Sequence, residues 1–146
     1  MVRRMPFLVV GIACALVAMG VAVRGWAHET REIAGQFRLI VGLRVEPAYT
    51  DVLNGLDLIV RRASDGAPVE GLEKTLNAEL IGSDGTSRRR LQLRPVHGQP
   101  GRYTDDFVPT RPGVYRIRIW GAIGDVQFDE TFHTHEVKPL ASVRFP

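Results

Sequence analysis

The sequence predicts an all-β fold, a single antiparallel sandwich of seven strands, and three of its features carry that expectation. Past Gly35, apolar residues alternate with polar ones at a period of two, in short runs rich in Val, Ile, Leu, Tyr and Phe. Turn signals such as Ser64-Asp65-Gly66, Ser83-Asp84-Gly85 and Gly124-Asp125 separate these runs at regular spacing. No stretch of this region keeps the period of an amphipathic helix for more than a turn or two.

Residues 1–27 read as an export signal. Arg3 and Arg4 form a basic start, Phe7 to Val23 is apolar and uncharged, and the small residues Gly25 and Ala27 take the minus-three and minus-one positions of a cleavage site before His28. This predicts a periplasmic or extracellular protein whose mature chain has 119 residues, 146 less 27. Two other readings stand beside it. The apolar run of 17 residues reaches the lower edge of a spanning helix, so an uncleaved signal would anchor the chain in the membrane. Cys14 is a candidate for lipid attachment, against which Gly11 counts, because a large aliphatic residue is usual there.

Residues 28–34 follow as a short N-terminal extension, residues 35–138 as the sandwich, and residues 139–146 as a flexible tail. The first strand alternates Phe37, Leu39, Val41, Leu43 and Val45 against Gln36, Arg38, Gly42 and Arg44. Leu56, Leu58 and Val60 mark the second, with Asp57 and Arg61 on its outer side, and Thr75 to Ile81 the third. The fourth runs from about Arg88 to Arg94, the fifth from Arg102 to Val108, the sixth from Val114 to Ile123 and the seventh from Val126 to about Thr134. In Pro109-Thr-Arg-Pro-Gly-Val-Tyr115 a Gly stands two residues before a Tyr at the start of the penultimate strand. That pattern resembles the tyrosine corner of immunoglobulin-like domains and makes the expected sandwich immunoglobulin-like.

Charge excludes one class of function. All 16 acidic residues follow position 27, whereas Arg3, Arg4 and Arg24 of the 19 basic ones precede it, which leaves the mature chain formally neutral. A nucleic-acid surface needs a concentrated basic excess, and none remains. Arg88-Arg89-Arg90 reads as a solvated strand edge that discourages edge pairing. The sole cysteine and all three methionines also precede His28, so the mature chain has no disulfide and no soft sulfur ligand for Cu(I).

No enzyme is expected. No Gly-x-Ser-x-Gly motif or phosphate-cradling glycine loop is present. The adjacent acids Asp105-Asp106 and Asp129-Glu130 should point to opposite faces of their strands. Histidines are the better lead, and the chain has four: His28, His97, His133 and His135. His133 and His135, two apart on a strand, share a face. Cleavage before His28 would give it an α-amine as well as an imidazole, and these with a further imidazole suit tetragonal Cu(II), or else Zn(II).

A secreted sandwich whose mature chain begins with His resembles the CopC and YtkA-like periplasmic copper-handling domains, in which the terminal His and a later Asp-x-His bind Cu(II). Here His133-Thr-His135 is the nearest substitute for Asp-x-His, and the methionines of that family's Cu(I) site are missing. The blocks Glu46-Pro-Ala-Tyr49, Pro68-Val-Glu-Gly-Leu-Glu73, Pro109 to Tyr115 and Asp129-Glu-Thr-Phe132 look more specifically like small exported bacterial proteins of unassigned function. The likeness to the copper-handling domains implies a non-enzymatic Cu(II)-binding protein, whereas the closer likeness implies fold and export, not activity. A rival expectation is an accessory domain docking on an envelope or membrane partner through a sheet edge, Tyr49 or Trp120. A third is a carbohydrate-binding sandwich using Trp120 and Tyr103. Immunoglobulin-like topology, with the first strand parallel to the last, would place His28 nearer His97 than His133 and His135.

Overall fold

A computed structural model describes residues 28–146, so the expected export signal lies outside the described residues. The fold is all-β. Ten strands form two antiparallel sheets: β1 (His28–Ile33), β2 (Phe37–Leu43), β3 (Asn54–Arg62), β4 (Leu76–Ile81), β5 (Arg88–Leu91), β6 (Arg94–Pro95), β7 (Arg102–Thr104), β8 (Asp106–Phe107), β9 (Gly113–Ile123) and β10 (Val126–Val137). One sheet has the order β1-β2-β3-β7-β6, with β8 also paired to β3; the other has the order β10-β9-β4-β5. Among the described residues only two short 3-10 turns are helical, and no helix is long and apolar enough to cross a membrane.

The count of ten instead of seven has three local causes. His28 to Ile33, expected as an extension, is a strand in full register with β2 from His28 opposite Gly42 to Ile33 opposite Phe37. Its polar sequence hid it, because only Ile33 is buried. The turn that folds it back has positive φ at both central residues, Ala34 at 51° and Gly35 at 65°, as a type I′ hairpin turn requires. The expected fourth strand changes sheets midway, β5 pairing with β4 and β6 with β7. The expected fifth breaks at Asp105, whose carboxylate accepts from the Gln92 N–H at 3.0 Å and from Arg94 at 3.1 Å.

The core lies where the two inner faces meet. Leu39, Val41, Leu43, Leu56, Leu58 and Val60 of the first sheet oppose Ala78, Ile117, Ile119 and Phe132 of the second, each with no measurable exposure. Burying side chains of this size stabilises the fold by about 1.5–3 kcal/mol apiece. The tyrosine corner forms as expected: the Tyr115 hydroxyl donates to the Arg111 carbonyl at 2.9 Å and accepts from its N–H at 3.2 Å. Val45, expected to end the inner face of the first strand, is instead 46% exposed beyond the end of β2.

Side chains of β1 close the seam between the sheets. Glu29 accepts from the His133 N–H at 2.8 Å, and Arg31 donates to the Thr131 carbonyl at 3.3 Å and to Glu130. These bonds satisfy outward backbone groups of β10 that would otherwise invite another strand. They also fix the direction of β1. Rising numbers on β1 meet falling numbers on β10, so the two run antiparallel.

Candidate functional site

That direction overturns the expected layout of the histidines. With β1 antiparallel to β10, His28 shares a pole of the sandwich with His133 and His135. His97 lies in the exposed loop between β6 and β7, whose Gly101 carbonyl accepts from Val60 at 2.8 Å, in the other half of the sheet.

His28 is fixed by residues that the sequence reading passed over. Gly42 of β2 pairs with His28 on one side and with Asp57 of β3 on the other. Because Gly42 has no side chain, the imidazole and the carboxylate meet above it, His28 Nε2 donating to Asp57 Oδ2 at 2.9 Å. Asp57 is only 4% exposed. Its charge is matched by Arg102 of β7, which binds it bidentately, Nε to Oδ1 at 2.6 Å and Nη2 to Oδ2 at 2.8 Å. The carboxylate in turn holds the Arg102 pKa above its ordinary value. A carboxylate paired in this way only accepts, so Nε2 of His28 donates to it, and in the neutral form of the ring the lone pair lies on Nδ1.

The loop after β2 brings Glu46 to the same pole. Its Oε1 is buried without a hydrogen-bond partner among the described residues. Burial raises the carboxyl pKa, and the nearby imidazoles of His135 and His28 oppose the rise. His133 and His135 are both exposed with Thr134 buried between them, and the register shifts between His133 and Glu136. Thr134 Oγ1 accepts from the Tyr115 N–H at 3.0 Å and donates to the His135 carbonyl at 2.8 Å, which anchors the irregularity. Among the described residues no three His, Cys, Asp or Glu side chains are gathered closely enough to hold a metal on their own.

Glu46 gives a pH-dependent prediction. Its folded pKa is raised, so the folded state binds the proton more tightly than the unfolded state does. The resulting stability is present at low pH and lost as pH rises through the folded value. Glu46→Gln should therefore melt slightly higher than the parent at pH 7. The difference should vanish below the ordinary carboxylate range, and paired thermal scans at pH 3.5 and 7 check it.

The other candidate groups have structural partners. Tyr103 is 1% exposed, its hydroxyl donating to the Val69 carbonyl at 2.6 Å and accepting from the Leu72 N–H at 3.3 Å, so its ring is closed to a sugar. Trp120 lies half-buried between the guanidinium groups of Arg90 at 4.9 Å and Arg118 at 4.7 Å, covered on its strand by cation–π contacts. Tyr49 is half-buried and bridges to Lys138. Arg88 binds Glu79 at 2.9 Å, Arg89 the Asp106 carbonyl at 3.1 Å, and Arg90 the side chain of Asn77. Asp105 and Asp106, expected on opposite faces, both bind Arg94, because the strand breaks between β7 and β8.

The signal for Asp57 was legible only as a pair. An acid at an outward position of a strand matters once a glycine on the neighbouring strand leaves room above it. Register was needed to bring Gly42 and Asp57 together.

No family model matches the chain, and no curated protein sequence matches it. Among solved structures, it is similar to a DUF4426 family protein from Pseudomonas aeruginosa, with 13% identity, a TM-score of 0.58, and coverage of 77% of this chain and 96% of that one. It also matches part of the chitinase ChiW of Paenibacillus sp. str. FPU-7, a cell-surface-expressed multi-modular enzyme, with 12% identity and a TM-score of 0.41. That match covers 66% of this chain and 8% of the chitinase, too weak a likeness to bear on the fold. At its level of identity the first likeness extends to the fold alone, that of a small β-sandwich domain.

Proposed function

We propose that this chain is an exported, non-enzymatic, immunoglobulin-like domain that binds Cu(II), or else Zn(II), through His28 and buffers or delivers it. One observation carries the reading: the buried Asp57–Arg102 pair takes up Nε2 of His28, so Nδ1 is the ring nitrogen left for a metal. When the chain is cut before His28, Nδ1 and the new α-amine chelate one ion, and Asp57 acts from behind as the carboxylate that orients a ligating imidazole. His135 and Glu46 at the same pole are the candidate further donors, and the orphaned Glu46 Oε1 fits that role. His133 lies beside Glu29, its Nδ1 3.8 Å from that carboxylate, and His97 takes no part.

The test is intact-mass analysis of the exported protein with and without Cu(II), together with a variant carrying one extra alanine before His28. The proposal expects a mature N-terminus at His28, one copper per chain, and at least about a tenfold loss of affinity in the extended variant, equivalent to about 1.4 kcal/mol. Unchanged affinity in that variant would overturn it.

A second reading, docking on an envelope or membrane partner, is favoured by the apolar tip of the β2–β3 loop. Val45 is 46% exposed, Val52 38% and Leu53 59%. Absence of copper uptake in the same experiment favours this reading over the first.

A further inference from the structure

The outer face of the larger sheet carries an electrostatic arrangement that metal binding does not use. Arg38 of β2 and Arg61 of β3 are direct cross-strand partners. Like charges in that position repel and destabilise a sheet. Glu32 of β1 offsets Arg38 at 3.3 Å, but both side chains are about half exposed, and that pair contributes little. Arg61 has no acidic partner among the described residues, and the next acid on its face, Asp57, is already bound bidentately by Arg102.

Two residues along the same strands, Ile40 pairs with Ile59, and both are half-buried on this outer face instead of in the core. A cavity of about 500 Å³ lies over His28, Thr30, Arg38 and Ile40. A second of about 340 Å³ lies over Ile59, Arg61 and Arg102, ending against Pro68 and Pro100. Because Ile40 pairs with Ile59 and Arg38 with Arg61, the two lie side by side on one outer face, an open trough in which the isoleucines neighbour the arginine pair. An apolar concavity with a few convergent polar groups is the usual form of a small-molecule site.

We propose that this trough binds an aliphatic carboxylate, its chain lying over Ile40 and Ile59 and its carboxylate accepting from Arg38 and Arg61. An anion at that point turns a repulsive cross-strand pair into a clamp, with guanidinium geometry matched to two carboxylate oxygens. The isoleucines require the chain, because a small anion would leave them uncovered.

The test titrates the exported protein with decanoate below its micelle concentration, with acetate and 1-decanol as partial probes, read by amide resonance shifts. Decanoate is expected to shift residues on β2 and β3, and acetate and 1-decanol to bind at least about tenfold more weakly. Arg61→Gln should weaken decanoate by about fivefold or more, whereas Arg88→Gln on the other sheet should not. If Arg61→Gln fails to fold, Arg38→Gln replaces it with the same expectation. Absence of decanoate binding, 1-decanol binding as tightly as decanoate, or unchanged binding in the Arg61 variant would overturn the proposal. The titration uses metal-free protein, so that its outcomes are separate from any metal at His28, which lines one end of the trough.

Discussion

Phe132→Ala should lower the unfolding free energy by about 3–5 kcal/mol, the cost of removing a large buried aromatic and leaving a cavity. Phe132 has no measurable exposure and is among the largest fully buried side chains of the sandwich. Its position makes the loss more than a packing defect. It sits on β10 opposite Ile117, and the Arg31 guanidinium of β1 lies 4.7 Å from its ring centre, capping the core where the two sheets meet. Alanine would remove the apolar contacts on the core side and the cation–π contact on the solvent side together. For a chain of this size the melting temperature should fall by roughly 12–20 °C. Phe132→Leu, which keeps most of the volume, should lose under half as much. Urea titration monitored by Trp120 fluorescence gives the free energies. Amide exchange of His28 to Ile33 should quicken in the alanine variant, because Arg31 loses one of the supports that hold β1 to β10. A loss below 1 kcal/mol would mean that Phe132 does not bridge the seam.

Alternation exposed the inner strands because their buried positions are uniform. Leu39, Val41 and Leu43 repeat at the strand period, as do Tyr115, Ile117 and Ile119, and Tyr115 could be assigned to a corner from its local motif alone. Alternation failed for β1, where only Ile33 is buried and the remaining side chains are used laterally, Glu29 and Arg31 toward β10 and His28 toward Asp57. A strand that stabilises a seam through charged side chains does not show a hydrophobic period. The candidate site was half legible for the same reason. His28 stood out as a residue type at a special place in the chain, but its partners are defined by pairing between strands that are distant in sequence. Asp57 lies 29 residues from His28, and Arg102 lies 45 from Asp57. The relation of His28 to His133 and His135 turned on the direction of one strand, which no local signal encodes.

Asp57→Ala is the substitution that most directly joins stability to the proposed role of His28. Removing one partner of a buried pair leaves the other charge uncompensated, at about 3–5 kcal/mol for a fully buried case. Here the Arg102 side chain keeps 31% exposure and can recover part of its hydration. The expected loss is therefore about 2–3 kcal/mol, a fall of roughly 8–12 °C in melting temperature. Asp57→Asn keeps one acceptor oxygen and should lose about half as much, since a neutral amide makes weaker bonds to Arg102. Both variants also free the His28 ring to choose its tautomer, because neither fixes the proton on Nε2 as the carboxylate does. Cu(II) affinity should accordingly fall about 10–100-fold in the alanine variant, the range seen when the partner behind a ligating histidine is removed. The two readouts separate two roles for Asp57. Lower stability with unchanged copper affinity would make it a strut that clamps β1 and β7 to β3. Loss of both would make the Asp57–Arg102 pair the device by which a buried charge orients His28.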